Sequence, residues 1–539
     1  MRLNSSGQPP APDKIIRSLK AFPISLLKIY PRSFSYENGL LYGLIRTQEG
    51  KKLAIMGERT HVLKDAFQGN CHHQSSTIKL CDLSAENTQC LMTLFPYTKP
   101  VSLRKYPTTI GTGDRLGLAT PGHIRAIKNY EVHPVLAQQS VRENAQTGRN
   151  FMEVIQDAAW TVFQENYQEG YGADGDHLKS LQDVKDALDA GVSMVTLDLS
   201  EKLNPEALQE PKGLIDRKFK EEIDEGDATV IFHLFLDKEF LLKGPQGEFS
   251  IQFNEESVKR NTLFFSNALN FAEEVYELIR SRTGNRPFVD FEICMDGMPF
   301  PTSPENHFFF ALELSHRGVH IQSLAPRFVG EFQKGIDYCG DREAFCRQFY
   351  QHVLISQDYG NYKISIHSGS EKFSVFPYME ELAKGGLHLK TVGTSWLEAI
   401  RLIALTNPSL YREMHRFALS IFNEAFKFYR VTTDLNRIPR LEDLQNQELP
   451  ALLDQEDSRQ LLHITYGYLL NAKNEAGKHL FKDKVYHILT QYEEDYWSLL
   501  EKHIEKHLSF LGVKKSKVNR NKLPNKEKER QKRGSRKNE

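Results

Sequence analysis

Between residues 106 and 395, short apolar segments alternate with amphipathic stretches of helical period, and this alternation constrains the fold more than any other feature. We predict strands at 115–120 and 135–140, a third leading into 171–179, and further strands at 193–198, 287–294, 319–325, 362–367 and 387–393. Eight strands, each followed by a helix, are typical of a (β/α)8 barrel. The fold class is therefore predicted as α/β, a TIM-like barrel with additions at both ends.

The additions define a predicted domain order. We predict a small β-rich or α+β domain at 1–105, the barrel at 106–410 with an insertion at 201–262, a helical extension at 411–511 and a disordered basic tail at 512–539. The insertion carries one further predicted strand, at 229–236, because Val, Ile and Phe are enriched there.

The composition is that of a globular protein. Apolar residues make up 40% of the chain and charged residues 26%, values typical of globular proteins. The six cysteines form no CxxC pair, and no apolar run reaches membrane-spanning length. The N-terminus also lacks a signal-peptide core. We predict reduced thiols and a cytoplasmic location, and the composition leaves a homo-oligomer open.

The basic tail contains twelve Lys/Arg and three Glu, a net charge of +9. Its lack of apolar residues favours disorder, because little burial is available to offset the entropy of ordering. A solubilising role is favoured over nucleic-acid binding, which would be sensitive to salt.

Ionisable residues cluster where strands are predicted to end. The segment 171–179 reads YGADGDHLK, a charged run directly after small residues. His177, Glu292 and His367 belong to predicted strands three, five and seven, and side chains from alternate strands meet at a barrel axis. We predict that they bind a divalent cation (Zn²⁺, Mn²⁺, Co²⁺ or Ni²⁺), with Asp176 as an alternative fourth ligand.

Two carboxylates, Glu143 and Asp176, are predicted to transfer protons, since acid/base work on a substrate carbon requires a group to accept a proton and a group to donate one. Polar residues near other strand ends are the candidates for substrate binding. These are His123, Gln138, Lys179, Arg327 and Lys334.

Two other motifs are not predicted to form binding sites. The glycine-rich segment 111–117 is neither GxGxxG nor a P-loop and precedes a predicted strand, so a dinucleotide site is disfavoured. His61, Cys71, His72 and His73 lack a fourth ligand at regular spacing, so a metal site there is also disfavoured.

Several motifs in order resemble one family, the tagaturonate epimerases. They are GTGDRLGLATPGH (111–123), AQQSVRE (137–143) with TGR (147–149), Asp157-Ala158, YGADGDHLK (171–179) and VTLDLSE (195–201). The resemblance covers roughly residues 100–490. It implies a metal-dependent barrel that acts on a sugar acid and interconverts D-tagaturonate and D-fructuronate.

These two keto acids differ at C4, which is β to the C2 ketone, so enolisation alone cannot invert C4. A retro-aldol step can, and the lack of a dinucleotide motif favours it over transient oxidation. The alternatives are another metal-dependent ketose isomerase or aldolase on the same barrel, and a non-catalytic sugar-binding barrel.

Overall fold

The computed structural model describes residues 12–73, 77–284 and 289–516. Its N-terminal part contains a five-stranded antiparallel sheet. Its strands are β1 (Leu26–Glu37), β2 (Leu40–Thr47), β3 (Gly50–Gly57), β4 (Asn70–His73) and β5 (Thr77–Asp82), in the order β1-β2-β3-β5-β4. Three helices accompany it: α1 (Pro12–Lys20), α2 (Arg59–Lys64) and α3 (Ala85–Leu94). The prediction of a β-rich N-terminal part is confirmed.

Eight parallel strands then close into a barrel, as predicted. The remaining strands are β6 (Thr108–Gly111), β7 (His133–Ser140), β8 (Gly172–Leu178), β9 (Met194–Asp198), β10 (Glu239–Gly244), β11 (Gly247–Gln252), β12 (Asp290–Cys294), β13 (Ser323–Ala325), β14 (Lys363–Ile366) and β15 (Leu387–Lys390). The barrel order is β6-β7-β8-β9-β12-β13-β14-β15, and β15 pairs with β6 to complete the ring. Strands β10 and β11 form a separate antiparallel hairpin.

Helices surround the barrel and form the region that follows it. Those around the barrel are α4 (Thr120–Ile127), α5 (Val141–Thr147), α6 (Phe151–Glu165), α7 (Leu181–Ala190), α8 (Lys212–Glu222), α9 (Glu225–Phe235), α10 (Glu255–Thr283), α11 (Pro304–His316), α12 (Arg342–Asp358), α13 (Phe376–Ala383) and α14 (Ser395–Thr406). Those of the C-terminal region are α15 (Pro408–Phe426), α16 (Glu456–Ile464), α17 (Tyr466–Asn471), α18 (Lys482–Gln491) and α19 (Glu493–Phe510).

Local sequence explains where several of these helices begin and end. Helix α7 starts with a reciprocal cap between Ser180 and Asp183 and stops at Gly191, whose φ of 91° is the left-handed conformation that glycine tolerates. Strand β7 ends at Ser140, which is also the N-cap of α5 and forms a second reciprocal cap with Glu143. This cap fixes the Glu143 carboxylate at the carboxyl end of the barrel.

The first predicted strand is wrong. Residues 115–119 form a loop, and helix α4 begins at Thr120 with Pro121 in its first turn. The Asp114 carboxylate accepts the Ala119 N–H at 2.6 Å and the Thr120 N–H at 2.9 Å, which favours a helix start. The true first strand, β6, has only four residues, too few for a period-2 pattern to stand out.

The predicted strand at 229–236 is also wrong. The segment lies in helix α9, whose N-cap is Asp224. Only Ile231 and Phe235 are buried within it, four residues apart on one helical face. Burial of one face at helical spacing overrides the β propensity of Val and Ile.

The N-terminal sheet and the C-terminal helices share one apolar core. It includes Tyr42, Ile55, Trp160, Trp396 and Leu500. The barrel has its own core between its strands and surrounding helices. The proposed domain boundaries therefore mark changes in secondary structure, and apolar packing continues across them.

Within the described residues, no helix is long and apolar enough to cross a membrane. All six cysteines are unpaired. The predicted tail falls mostly at 517–539, outside the described residues. Its first residues run beside the barrel, where Lys514 O accepts the Glu131 N–H at 2.8 Å and Asn129 O accepts the Ser516 N–H at 2.9 Å.

Candidate active site

Four side chains with metal-binding atoms meet at the carboxyl ends of β8, β12 and β14. They are His177, Cys294, Asp296 and His367, and one donor atom of each lies within 4.8 Å of all the others. The rings of His177 and His367 have centroids 4.8 Å apart. Two imidazoles, a carboxylate and a thiol form a donor set that fits a divalent transition metal. We call these four residues the donor group.

Glu292, which is predicted as a ligand together with the two histidines, lies behind the donor group and contacts it through His367. Its Oε1 is 2.8 Å from His367 Nε2, while the other ring nitrogen, Nδ1, faces Asp296 Oδ2 at 3.3 Å. Its Oε2 accepts the Ser323 hydroxyl at 2.5 Å. A carboxylate on the far nitrogen of a metal-binding histidine orients the ring and raises its basicity. Asp296, two residues beyond the end of β12, supplies the carboxylate of the donor group.

Asp176 stands in a similar relation to His177. Its Oδ1 lies 2.9 Å from His177 Nδ1, while His177 Nε2 points towards Asp296 at 3.8 Å. A register shift in β8 separates Gly175 from Leu178, and His177 has a φ of 54°, which is costly for a residue other than glycine. The bulge turns the His177 ring into the barrel mouth, and strain of this kind is found at functional sites.

Lys390, at the end of β15, joins the carboxylates that support the donor group. Its Nζ lies 2.9 Å from Asp174, 2.6 Å from Asp176 and 2.9 Å from Glu292. It also donates to the Thr196 hydroxyl at 2.8 Å. The sequence prediction missed Lys390, although a lysine inside the apolar run of a barrel strand is a usable signal, because a buried ammonium needs partners.

Burial and mutual attraction compete throughout this cluster. Burial alone would raise the pKa of Asp176, but His177 and Lys390 outweigh it and hold that pKa well below its usual value. Burial would likewise lower the pKa of Lys390, yet Asp174, Asp176 and Glu292 keep it well above its usual range. Asp176 and Lys390 are therefore charged, whereas burial raises the pKa of Asp174 to about 6.

The donor group opens into a cavity of about 460 Å³. Of the predicted residues, Gln138, Glu143, Asp176, His177, Lys179, Lys334 and His367 line it, together with Arg115, Asp296, Lys390 and His463. Both polar atoms of the Gln138 amide are buried and have no hydrogen-bond partner among the described residues, so they remain available to a ligand.

Two predicted substrate-binding residues do not line this cavity, although the cleft that contains Arg327 is also lined by His177 and His367. His123 is fully buried in α4, and its Nε2 lies 2.9 Å from the Ser395 hydroxyl, away from the cavity lining. Its prediction depended on the misplaced first strand. Arg327 lines an adjoining cleft with Asp296 and Lys334, where it contacts Glu331 at 3.3 Å.

Glu143 forms an ion pair with Arg115, a residue that the sequence did not predict to be part of the site. The guanidinium Nε donates to Glu143 Oε1 at 2.9 Å. Burial opposes ionisation of Glu143, but Arg115 outweighs it and lowers the pKa of the carboxyl. Glu143 therefore faces the cavity as a carboxylate.

Comparison with known proteins identifies the family of this chain. The model of the tagaturonate epimerase family matches residues 30–511. The chain belongs to the tagaturonate epimerase family. A relative from Thermotoga maritima, named tagaturonate/fructuronate epimerase, is 37% identical over 487 residues, which are 90% of this chain and 97% of that protein.

Crystal structures of another family member extend the likeness to three dimensions. Fructuronate-tagaturonate epimerase UxaE from Cohnella laeviribosi, in native form and with glycerol, is 45% identical and superposes with a TM-score of 0.86. Each comparison covers 93% of this chain and 99% of that protein. The family resemblance stated from the sequence motifs is confirmed, and membership makes this protein an isomerase of the epimerase type.

Proposed function

We propose that this protein is a metal-dependent epimerase that interconverts D-tagaturonate and D-fructuronate by inverting C4. Family membership over most of the chain supports the substrate. The observation that carries the metal dependence is the donor group, whose two histidines are each backed by a buried carboxylate. Imidazoles oriented in this way are the usual surroundings of a protein-bound transition metal.

His177, Asp296 and His367 would hold the cation, with the Cys294 thiol as a fourth ligand. Imidazole and thiol donors favour Zn²⁺, and the set also suits Co²⁺ and Ni²⁺. A cation bound there supplies positive charge that stabilises an anionic substrate oxygen. Asp176, 2.9 Å from His177 Nδ1, and Glu292, hydrogen-bonded to His367, would keep the two rings aimed at it.

A retro-aldol route accounts for inversion at C4. A carboxylate removes the proton from the C4 hydroxyl, the C3–C4 bond breaks, and its electron pair passes into an enediolate spanning C2 and C3. C4 becomes an aldehyde that still carries C5 and the carboxylate. After that aldehyde turns over, C3 attacks its other face, the C3–C4 bond re-forms and the proton returns to the C4 oxygen. No hydrogen leaves C4 at any stage.

Two carboxylates of the cavity are placed for the proton transfers. Asp176 lies beside His177 and 2.6 Å from Lys390, whose charge stabilises its ionised form. Glu143 lies at the end of β7 beside Arg115. Both groups are ionised by their cationic neighbours and can accept a proton from a hydroxyl and give it back.

The Glu143→Gln variant tests the role of one of these carboxylates. Glutamine keeps the size of the side chain and one acceptor oxygen but cannot take up a proton. We expect the variant to retain its metal and lose roughly 100-fold or more in kcat, the range for a lost general base. Metal analysis and initial rates measure both. Epimerisation at the wild-type rate would remove Glu143 from the mechanism.

The proposed activity is tested by nuclear magnetic resonance of the purified protein with D-tagaturonate in D₂O. We expect fructuronate to accumulate to a fixed ratio, the same ratio to be reached from fructuronate, and C4 to keep its hydrogen. Deuterium at C4 would exclude the retro-aldol route. Turnover of other ketoses without turnover of the two uronates would instead favour a different isomerase or aldolase.

A further inference from the structure

One end of the cavity carries basic side chains with nitrogen atoms that the proposed chemistry does not use. Arg115 comes from the loop after β6, Lys334 from the loop after β13 and His463 from α16 in the C-terminal region, and all three line the cavity. We call these three residues the basic end.

His463 is buried, yet neither ring nitrogen has a hydrogen-bond partner among the described residues. The ring lies between Gly393 and Gly335, and a β-carbon at Gly393 would overlap it. Burial, followed by the neighbouring Arg115 and Lys334, holds its pKa well below the usual value. A neutral imidazole has one N–H to donate, and a buried polar group of this kind indicates a missing partner.

Arg115 presents a second unused donor. Its Nε is bonded to Glu143 at 2.9 Å, and its guanidinium stacks on the Tyr466 ring at 3.9 Å. Its Nη1 is buried without a hydrogen-bond partner in the described parts of the chain. The stack and the Glu143 contact fix the direction in which that free N–H points.

Lys334 adds an uncompensated positive charge. Its ammonium forms no ion pair with any described residue, whereas its backbone is firmly held. Lys372 Nζ donates to Gln333 O at 2.8 Å and Ile336 O at 2.6 Å, on either side of it. Gln460 Nε2 donates to Lys334 O at 3.3 Å. The protein thus positions a cation without supplying its partner.

The other cavity cations are already neutralised or exposed. Lys179 lies 2.5 Å from Glu201, and Arg327, in the adjoining cleft, lies 3.3 Å from Glu331. Arg142 is exposed and stacks on Tyr429. An anion entering the cavity therefore gains most at the basic end, where Arg115 and His463 keep buried nitrogens without hydrogen-bond partners and Lys334 has no ion pair among the described residues.

We propose that the basic end binds the substrate carboxylate and gives the enzyme its preference for hexuronates over neutral sugars of the same length. This inference rests on the proposed function and adds His463 and Arg115 to its specificity residues. In the retro-aldol route the carboxylate belongs to the aldehyde fragment, so the basic end would also retain that fragment while its aldehyde turns.

The test compares binding of D-gluconate with that of D-sorbitol, which has a hydroxymethyl group in place of the carboxylate. Isothermal titration of the metal-loaded enzyme needs no turnover. We expect wild-type protein to bind gluconate at least about tenfold more tightly than sorbitol. Lys334→Met and His463→Leu should each weaken gluconate binding roughly 10- to 100-fold and leave sorbitol binding unchanged within about twofold.

Two further variants separate recognition from folding. Lys334→Arg should restore most of the gluconate preference, because it restores the charge. His415→Asn changes another buried histidine of the C-terminal region, one bonded to Tyr411 and away from the cavity lining, and should leave both affinities at the wild-type values.

Kinetics give a second readout. The Lys334→Met and His463→Leu variants should raise KM for tagaturonate much more than they change kcat. A wild-type enzyme with no preference for gluconate, or variants that keep the full preference, would overturn the subsite. A gluconate preference that depends on Lys334 in a protein without epimerase activity would contradict the proposed function alone.

Discussion

Replacing His367 by alanine should remove the bound metal and lower kcat/KM for tagaturonate by at least roughly 1,000-fold, since a metal Lewis acid contributes several kcal/mol to the transition state. His367 is the most connected member of the donor group. Its Nδ1 lies 3.3 Å from Asp296 and 3.4 Å from Cys294, and its Nε2 lies 2.8 Å from Glu292. Its loss leaves too few donors for tight binding.

The same variant should remain folded. Glu292 loses one partner but keeps Lys390 at 2.9 Å and the Ser323 hydroxyl at 2.5 Å, so no carboxylate is left buried alone. Elemental analysis and circular dichroism measure metal content and fold separately. Glu292→Gln provides the contrast. It leaves the donor group whole and should weaken metal affinity only about 10- to 100-fold. An alanine variant with full metal content would show that the donor group is wrongly assigned.

Lys390→Met should be the most destabilising single change at the site. Lys390 is buried and is the ammonium shared by Asp174, Asp176 and Glu292. Methionine fills the space but leaves three buried carboxylates without the ammonium that they share. Removing one partner from a buried ionic network costs about 3–5 kcal/mol in the free energy of unfolding. Activity should fall with it, because Asp176 and Glu292 orient the metal-binding rings.

Lys363→Met is the matched control. Lys363 begins the adjacent strand β14, at the amino end of the barrel, where its Nζ donates to Leu103 O at 3.2 Å and the Thr109 hydroxyl at 3.3 Å. Burial lowers its pKa to about 8, so its neutral form is accessible. We expect a smaller loss of stability in urea unfolding and no loss of metal. Equal destabilisation of the two variants would contradict a special role for the Lys390 network.

The sequence predicts that His177 and His367 lie close together, and the structure brings both into the donor group at the ends of β8 and β14. A run of small residues followed by Asp, Gly, Asp and His has no folding role of its own, and it does end a barrel strand. Sequence alone does not separate the two roles that are open to Glu292. A carboxylate on a barrel strand can bind a metal or support a histidine that does, and only side-chain geometry separates these two roles.

Other parts of the site depend on contacts that sequence spacing does not encode. Lys390 and Asp174 are 216 positions apart, and nothing local to either residue predicts their pairing. His463 enters the cavity from the C-terminal region, which was predicted only as a helical extension. The unpaired state of His463 follows from the surrounding glycines and cations, which three-dimensional packing alone brings together.

The central claim is a metal-dependent C4 epimerisation, and metal removal followed by reloading tests it most directly. The protein is stripped with a chelator, dialysed, and incubated with D-tagaturonate before and after one equivalent of Zn²⁺, Co²⁺, Ni²⁺ or Mn²⁺ is added. We predict that no fructuronate forms in the stripped protein and that at least one of these metals restores equilibration of the two epimers. Undiminished epimerisation by protein shown to contain no metal would contradict the account.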